Sequence, residues 1–214
     1  MKLKKIAKFS ILRFVYYNFL CSRIKRDKGC YILPYKGTVI DMAKGAEIEL
    51  HGNLNLSYNR PSGSRAESFV ILRENAKLTI EGNTVLAYGA TLELHENAEI
   101  VIGSAYINVG AVILSAEKIT IGNEVLISRG VYIYDSDHHP IVDEDGNQLN
   151  PPKPVSIEDH VWIGLRCLVL RGSRIGEGAM IATNSVVGGK IKAGTMASGN
   201  PARSYSEIRW KNSL

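Results

Sequence analysis

From Ile157 onward an aliphatic side chain falls at every sixth position, through Ile163, Val169, Ile175, Ile181 and Val187. A period of six suits neither a 3.6-residue helix nor the alternation of a hairpin. One such unit is too short to bury a core of its own. Three units can form three short strands joined by tight turns, a coil of about 18 residues whose aliphatic rows are buried only when further coils stack on it. The earlier run Ile121, Ile127 and Ile133 obeys the same rule. Further back, AEIELHG from Ala46, AKLTIEG from Ala76, AEIVIG from Ala98 and AEKITIG from Ala116 repeat one phrase. Their uneven spacing fits coils that carry small insertions. IGNE, IGLR, IGEG and GNPA set Gly or Asn beside the aliphatic position, where the chain must bend, and β-branched residues dominate between the turns. A non-repeating β-sandwich does not account for the unbroken period. The expected fold is all-β, a parallel β-helix.

Composition allows one main domain: of 214 residues, 45% are hydrophobic and 22% charged. Cys21, Cys30 and Cys167 are odd in number and lack the paired spacing of a disulfide framework or zinc site, which fits reduced thiols in a cytoplasm. The net charge of +5 is uneven: residues 1–28 hold nine Lys or Arg against Asp27 alone, so this segment carries +8 and the remainder −3. The body lacks a basic motif with interleaved aromatics, and no nucleic-acid partner is expected. The opening MKLKKIAKFSILRFVYYNFL starts like a secretory signal, but Arg13 and Asn18 interrupt the apolar run and no small-residue cleavage site follows. Ile6, Phe9, Leu12, Tyr16 and Phe19 recur every three or four residues, which predicts a short N-terminal helix with one apolar side and a basic flank. Two placements are open for it: docked on the body or a neighbouring subunit, or held in peripheral contact with an anionic membrane surface at the inner face. The expected divisions are a basic helical segment over 1–28, a β-helix over 29–205 and a tail over 206–214.

From Asp135 to Pro154 the aliphatic row disappears in DSDHHPIVDEDGNQLNPPKP, which should leave the prism as a protruding loop over 135–154. Its start gathers Asp135, Asp137, His138 and His139. An imidazole titrates near neutrality and can take a proton from a hydroxyl, with a carboxylate beside it to fix the tautomer. The same residue types also suit a metal site, or a solvated loop without chemistry. Asp143, Asp145 and Asn147 resemble the start of a calcium loop, yet the closing Glu is missing and a plain turn at Asp145-Gly146 is expected.

HVWIG at 160–164, the six-residue rows that follow, and SGNPAR at 198–203 resemble the C-terminal half of the hexapeptide-repeat acetyltransferases, a family that includes galactoside and maltose O-acetyltransferases and those of capsule and O-antigen polysaccharides. The likeness spans about residues 95 to 205. It implies a left-handed coil, a homotrimer with an active site at each subunit boundary, and acetyl transfer from acetyl-coenzyme A to a sugar hydroxyl without a metal. Matching the family's SD-x-H pattern on Ser136, Asp137 and His139 makes His139 the implied general base, with Asp137 beside it and His138 the alternative. The resemblance nominates Trp162, Gly164, Thr183, Gly188 and Arg203 for coenzyme A, and Asn108 for the acceptor. Tyr132 and Tyr134, which precede the loop, are added as sugar-facing aromatics. Gly188-Gly189 departs from the Thr-Lys pair often found there in relatives. Competing readings are an N-acetyltransferase on a nucleotide-linked amino sugar or other small acceptor, and a non-catalytic β-helix scaffold.

Overall fold

The computed structural model describes residues 9–211, and the six-residue period governs their path. Twenty-four strands among these residues form three sheets. Strands that neighbour in a sheet are three apart in chain order except at the last pair, so the chain winds once round a three-sided prism for every three strands. The first face runs from Ile24–Arg26 to Lys190–Ile191, the second from Ile32–Pro34 to Ala202–Glu207, and the third from Thr38–Met42 to Val186–Val187. These pairings are parallel until Ala202–Glu207 folds back antiparallel on Thr195–Gly199.

The aliphatic rows fill the prism. Ile157, Ile163 and Val169 sit one on each face, and Ile175, Ile181 and Val187 stack in register beneath them. None of the six is more than 1% exposed. Burying each such side chain is worth about 1.5–3 kcal/mol relative to leaving it in water, and no coil gains it without a neighbour. Ile121, Ile127 and Ile133 occupy the same three rows one coil earlier. Residues 135–154 therefore leave and rejoin the prism without shifting its register.

One repeat is displaced. Ala46, Ala76 and Ala98 form a buried column, with Glu47 N–H donating to Ala76 and Lys77 N–H to Ala98. Glu99 N–H instead donates to Glu117, one residue past Ala116. Ala116 falls out of the column because its own N–H and that of Glu117 turn inward to the carboxylate of Asp135.

The outer surfaces differ by face. The first presents Lys25, Glu49 and Thr79 in one column and Glu47, Lys77, Glu99 and Lys118 in another. The second presents Val85, Tyr106, Leu126, Trp162, Met180 and Met196. On the third, Phe69, Thr91, Val112, Tyr132, Leu168 and Val186 align. Two of the three outer faces are thus largely apolar.

At the open N-terminal end, α1 (Ile11–Val15) runs into a π-helical turn, Tyr16–Leu20. Asn18 is buried and acts as a missing strand: its amide donates to Ile32 C=O and accepts from Ile32 N–H, satisfying the free edge of the second face. The guanidinium groups of Arg13 and Arg23 cap the carbonyls of Thr38, Met42 and Ala43. Of the apolar stripe read from the sequence, Ile6 lies outside the described residues, Phe9 meets Tyr35 with ring centroids 5.8 Å apart, Leu12 and Tyr16 point into solvent, and Phe19 is partly covered by Tyr31 and the Arg26 guanidinium. The stripe thus docks on this chain's own body at Phe9 and Phe19 and leaves Leu12 and Tyr16 outward, because Phe14, Tyr17 and Asn18 take the inward side of the helical turns between them. The first strand, Ile24–Arg26, already belongs to the prism. Among the described residues no helix is long and apolar enough to cross a membrane.

Candidate active site

The excursion is closed at its neck by Asp135. This residue is fully buried; its carboxylate accepts from Ser115 Oγ at 2.7 Å, Ala116 N at 2.7 Å and Glu117 N at 3.0 Å, and its C=O accepts from Lys153 N at 2.9 Å. Buried and satisfied by three donors, Asp135 anchors the neck. At the far end Asp143 Oδ1 accepts from Asp145 N and Asn147 N in an ordinary Asx turn around Gly146. Among the described residues no cluster of three His, Cys, Asp or Glu is arranged to hold a metal ion.

Asp137 does not pair with either histidine. Its carboxylate accepts from Asn150 Nδ2 at 3.1 Å and Arg171 Nε at 2.8 Å, and these hydrogen bonds from Asn150 and then Arg171 hold the carboxyl below its usual range. The tautomer-fixing role expected of Asp137 is replaced by an anchoring one, since Arg171 on the next coil holds the loop through it. Asn150, which the sequence reading passed over, is buried and ties the end of the loop back to its first stretch, residues 137–141. Its Oδ1 accepts from Ile141 N at 2.6 Å, and its Nδ2 donates to His139 C=O at 2.9 Å as well as to Asp137.

The two histidines are presented differently. His138 takes a left-handed backbone, φ 61°, and its ring lies 5.3 Å from that of His95 and 5.4 Å from Tyr134. His95, at a turn of a neighbouring coil, thus packs against the loop. His139 is exposed, and its main chain is pinned on both sides: N–H donates to Asp137 C=O and C=O accepts from Asn150. Tyr132 and Tyr134 meet edge to face at 6.1 Å beneath the loop, and burial, with Tyr132 and Glu93 nearby, raises the Tyr134 hydroxyl pKa. Asn108 spends its Oδ1 on Val109 N, the turn-stabilising use of an asparagine.

Most of the residues nominated for coenzyme A lie along another face. Trp162 lies half-buried on the second face and donates from Nε1 to Ser128 Oγ at 3.3 Å. Gly164 follows it, and a Cβ there would stand 2.6 Å from Ile181 O and 2.8 Å from Thr183 N, so coil stacking by itself requires glycine. Thr183 is exposed at the adjoining turn. Gly188 is exposed on the third side, with open space about it. Arg203 is exposed on the antiparallel strand and has no carboxylate partner among the described residues. Within one chain, then, the histidine loop rises from the third face, whereas Trp162, Thr183 and Arg203 belong to the second. His160 sits at a corner with φ 54°, stacked on Trp210 at 4.0 Å and bonded to its carbonyl at 3.1 Å. The cleft of about 770 Å³ between this corner and residues 207–211 is lined by neither loop histidine. Cys21, Cys30 and Cys167 are free, and burial raises the Cys167 thiol.

Comparison with known proteins agrees with this architecture. The family model described as "Hexapeptide repeat of succinyl-transferase" matches residues 154–188. YJL218W of Saccharomyces cerevisiae, which carries an acetyltransferase name, is 31% identical over 187 residues, 86% of this chain and 90% of that protein. Nodulation protein L of Rhizobium meliloti is 39% identical over 76% of this chain and 92% of its own length. Among solved structures, the polysialic acid O-acetyltransferase OatWY superposes with a TM-score of 0.66 at 21% identity, covering 89% of this chain and 91% of that one, which speaks for the fold. With the stacked coils, the in-register aliphatic rows and these relatives taken together, the chain belongs to the hexapeptide-repeat acetyltransferases.

Proposed function

We propose that this acetyltransferase moves an acetyl group from acetyl-coenzyme A to a sugar hydroxyl, in the building of cell-envelope polysaccharide. The observation that carries the reading is the loop at 135–154: a rigid excursion, anchored on both neighbouring coils, that fixes the backbone of an exposed histidine. A saccharide acceptor is supported by exposed Tyr132 and half-buried Tyr134 at the base of the loop, where Tyr134 meets His138, and by the names of relatives and fold neighbours, the galactoside O-acetyltransferase of Escherichia coli among them. Acetyl-coenzyme A supplies the acetyl group as an activated thioester. Arg203, cationic and without a carboxylate partner among the described residues, suits its phosphates, and Trp162 and Thr183 border the same face.

His139 removes the proton of the acceptor hydroxyl as that oxygen bonds to the acetyl carbon, and returns it to the departing sulfur. Asn150 and the Asp137–Arg171 pair keep the imidazole's backbone in place, so the base is preorganised. Because the histidine loop and the Trp162 face lie on different sides of one prism, the site is completed across a subunit boundary, and the two apolar outer faces support a homotrimer in which they meet. We place the reaction in the cytoplasm, at the inner face of the membrane.

The test is a pair of variants assayed for acetyl transfer to saccharides and for coenzyme A binding by calorimetry. His139→Ala is expected to lower kcat by about 10²–10⁴-fold with binding intact. Activity retained in His139→Ala but lost in His138→Ala would move the base to the neighbour, and activity retained in both would end the proposed mechanism.

A further inference from the structure

We propose that the outward side of α1 and its π-helical continuation is a docking surface for an anionic lipid bilayer. This deepens the inner-face placement made above and gives it a physical means. Ile11, Leu12, Val15, Tyr16, Phe19 and Leu20 are 62%, 85%, 42%, 50%, 58% and 69% exposed. They fall at two positions per turn over consecutive turns and line one side of the helix, while Phe14, Tyr17 and Asn18 hold the other side against the prism. Six large apolar side chains on this side, Phe19 being partly covered by Tyr31 and the Arg26 guanidinium, form a patch that water does not favour.

Charge decides what covers it. Residues 1–26 contain no acid, and Lys2, Lys4, Lys5 and Lys8 precede the helix in sequence. The Arg26 guanidinium lies 4.9 Å over the Phe19 ring, which puts a cation at the patch itself, while those of Arg13 and Arg23 cap carbonyls at the same end of the prism. An apolar face that carries a cation, on a segment without an acid before Asp27, is complementary to a negatively charged interface, where apolar side chains enter the acyl boundary and basic ones meet headgroups. A second copy placed on this face would oppose two segments of +8.

The experiment is flotation of the full-length protein with vesicles of phosphatidylcholine alone and of equal parts phosphatidylcholine and phosphatidylglycerol. Binding to the anionic vesicles only, released by salt, is expected. The variant Ile11→Ser, Leu12→Ser, Leu20→Ser should bind them about tenfold more weakly or worse, with unchanged thermal unfolding and unchanged acetyl transfer to a soluble saccharide. Replacing Lys2, Lys4, Lys5 and Lys8 by Gln should remove the preference for anionic vesicles. Wild-type protein that floats with neither vesicle, or a triple serine variant that floats like wild type, overturns the proposal. So does a triple variant that loses mass by sedimentation when the wild type floats with neither vesicle, since the face then belongs to another copy. Transfer to a soluble acceptor is scored separately, so vesicle binding without transfer sinks the enzymatic reading and leaves the docking surface standing.

Discussion

At the scale of the residue, the anchor of the loop is a titrating group. Asn150 and Arg171 hold the Asp137 carboxyl below its usual range. A carboxyl depressed by folding contributes stability that is present above its unfolded pKa and lost as pH falls through its folded one. The anchored loop should therefore resist protease down to pH values below the ordinary aspartate range, near 4. In Arg171→Ala the midpoint of protection should rise toward that range; an unchanged midpoint would leave Asn150 as the sole determinant. Sequence adjacency suggested that Asp137 serves the histidine beside it, but it cannot say which way a loop side chain points. Asn150 and His95 were invisible for a related reason. Their partners lie 9–13 and 43 residues away in sequence, brought close only when the excursion folds back over its neighbouring coils.

At the scale of the element, the loop and the coils are separable. The neck closes through Asp135 C=O and Lys153 N–H, and Ile133 and Val155 continue the prism on either side. Replacing residues 137–151 by a short turn is expected to leave the thermal unfolding midpoint within a few degrees of wild type and to abolish acetyl transfer; a large fall in the midpoint would show that the loop supports the coils. The rows from Ile121 onward were legible because each aliphatic side chain has one place to go, the inside of a face, and six consecutive hits leave no alternative register. Ala116 misled because its phrase copies the motif while the carboxylate of Asp135 draws its backbone one residue out of column. Helical periodicity correctly predicted a helix near the N-terminus, yet periodicity gives an apolar side without saying whether protein covers it.

At the scale of the whole molecule, one outer face is charged and two are apolar, the pattern that the proposed homotrimer requires. Leu168 stands outward between Tyr132 and Val186 on the third face. In Leu168→Asp the sedimenting mass should fall from three chains to one, with the coils intact by circular dichroism, because an unpaired carboxylate has no partner in an apolar interface; a persistent trimer would move the interface elsewhere. The ends of the stack carry their own consequence. Every coil offers its strand edges to the next, so a bare end is a template on which another molecule's coils can continue without limit. Asn18 and the arginines close one end with side chains, and the antiparallel Ala202–Glu207 closes the other with a strand running the wrong way for addition. Clipping either closure would turn a finite particle into a growing fibre.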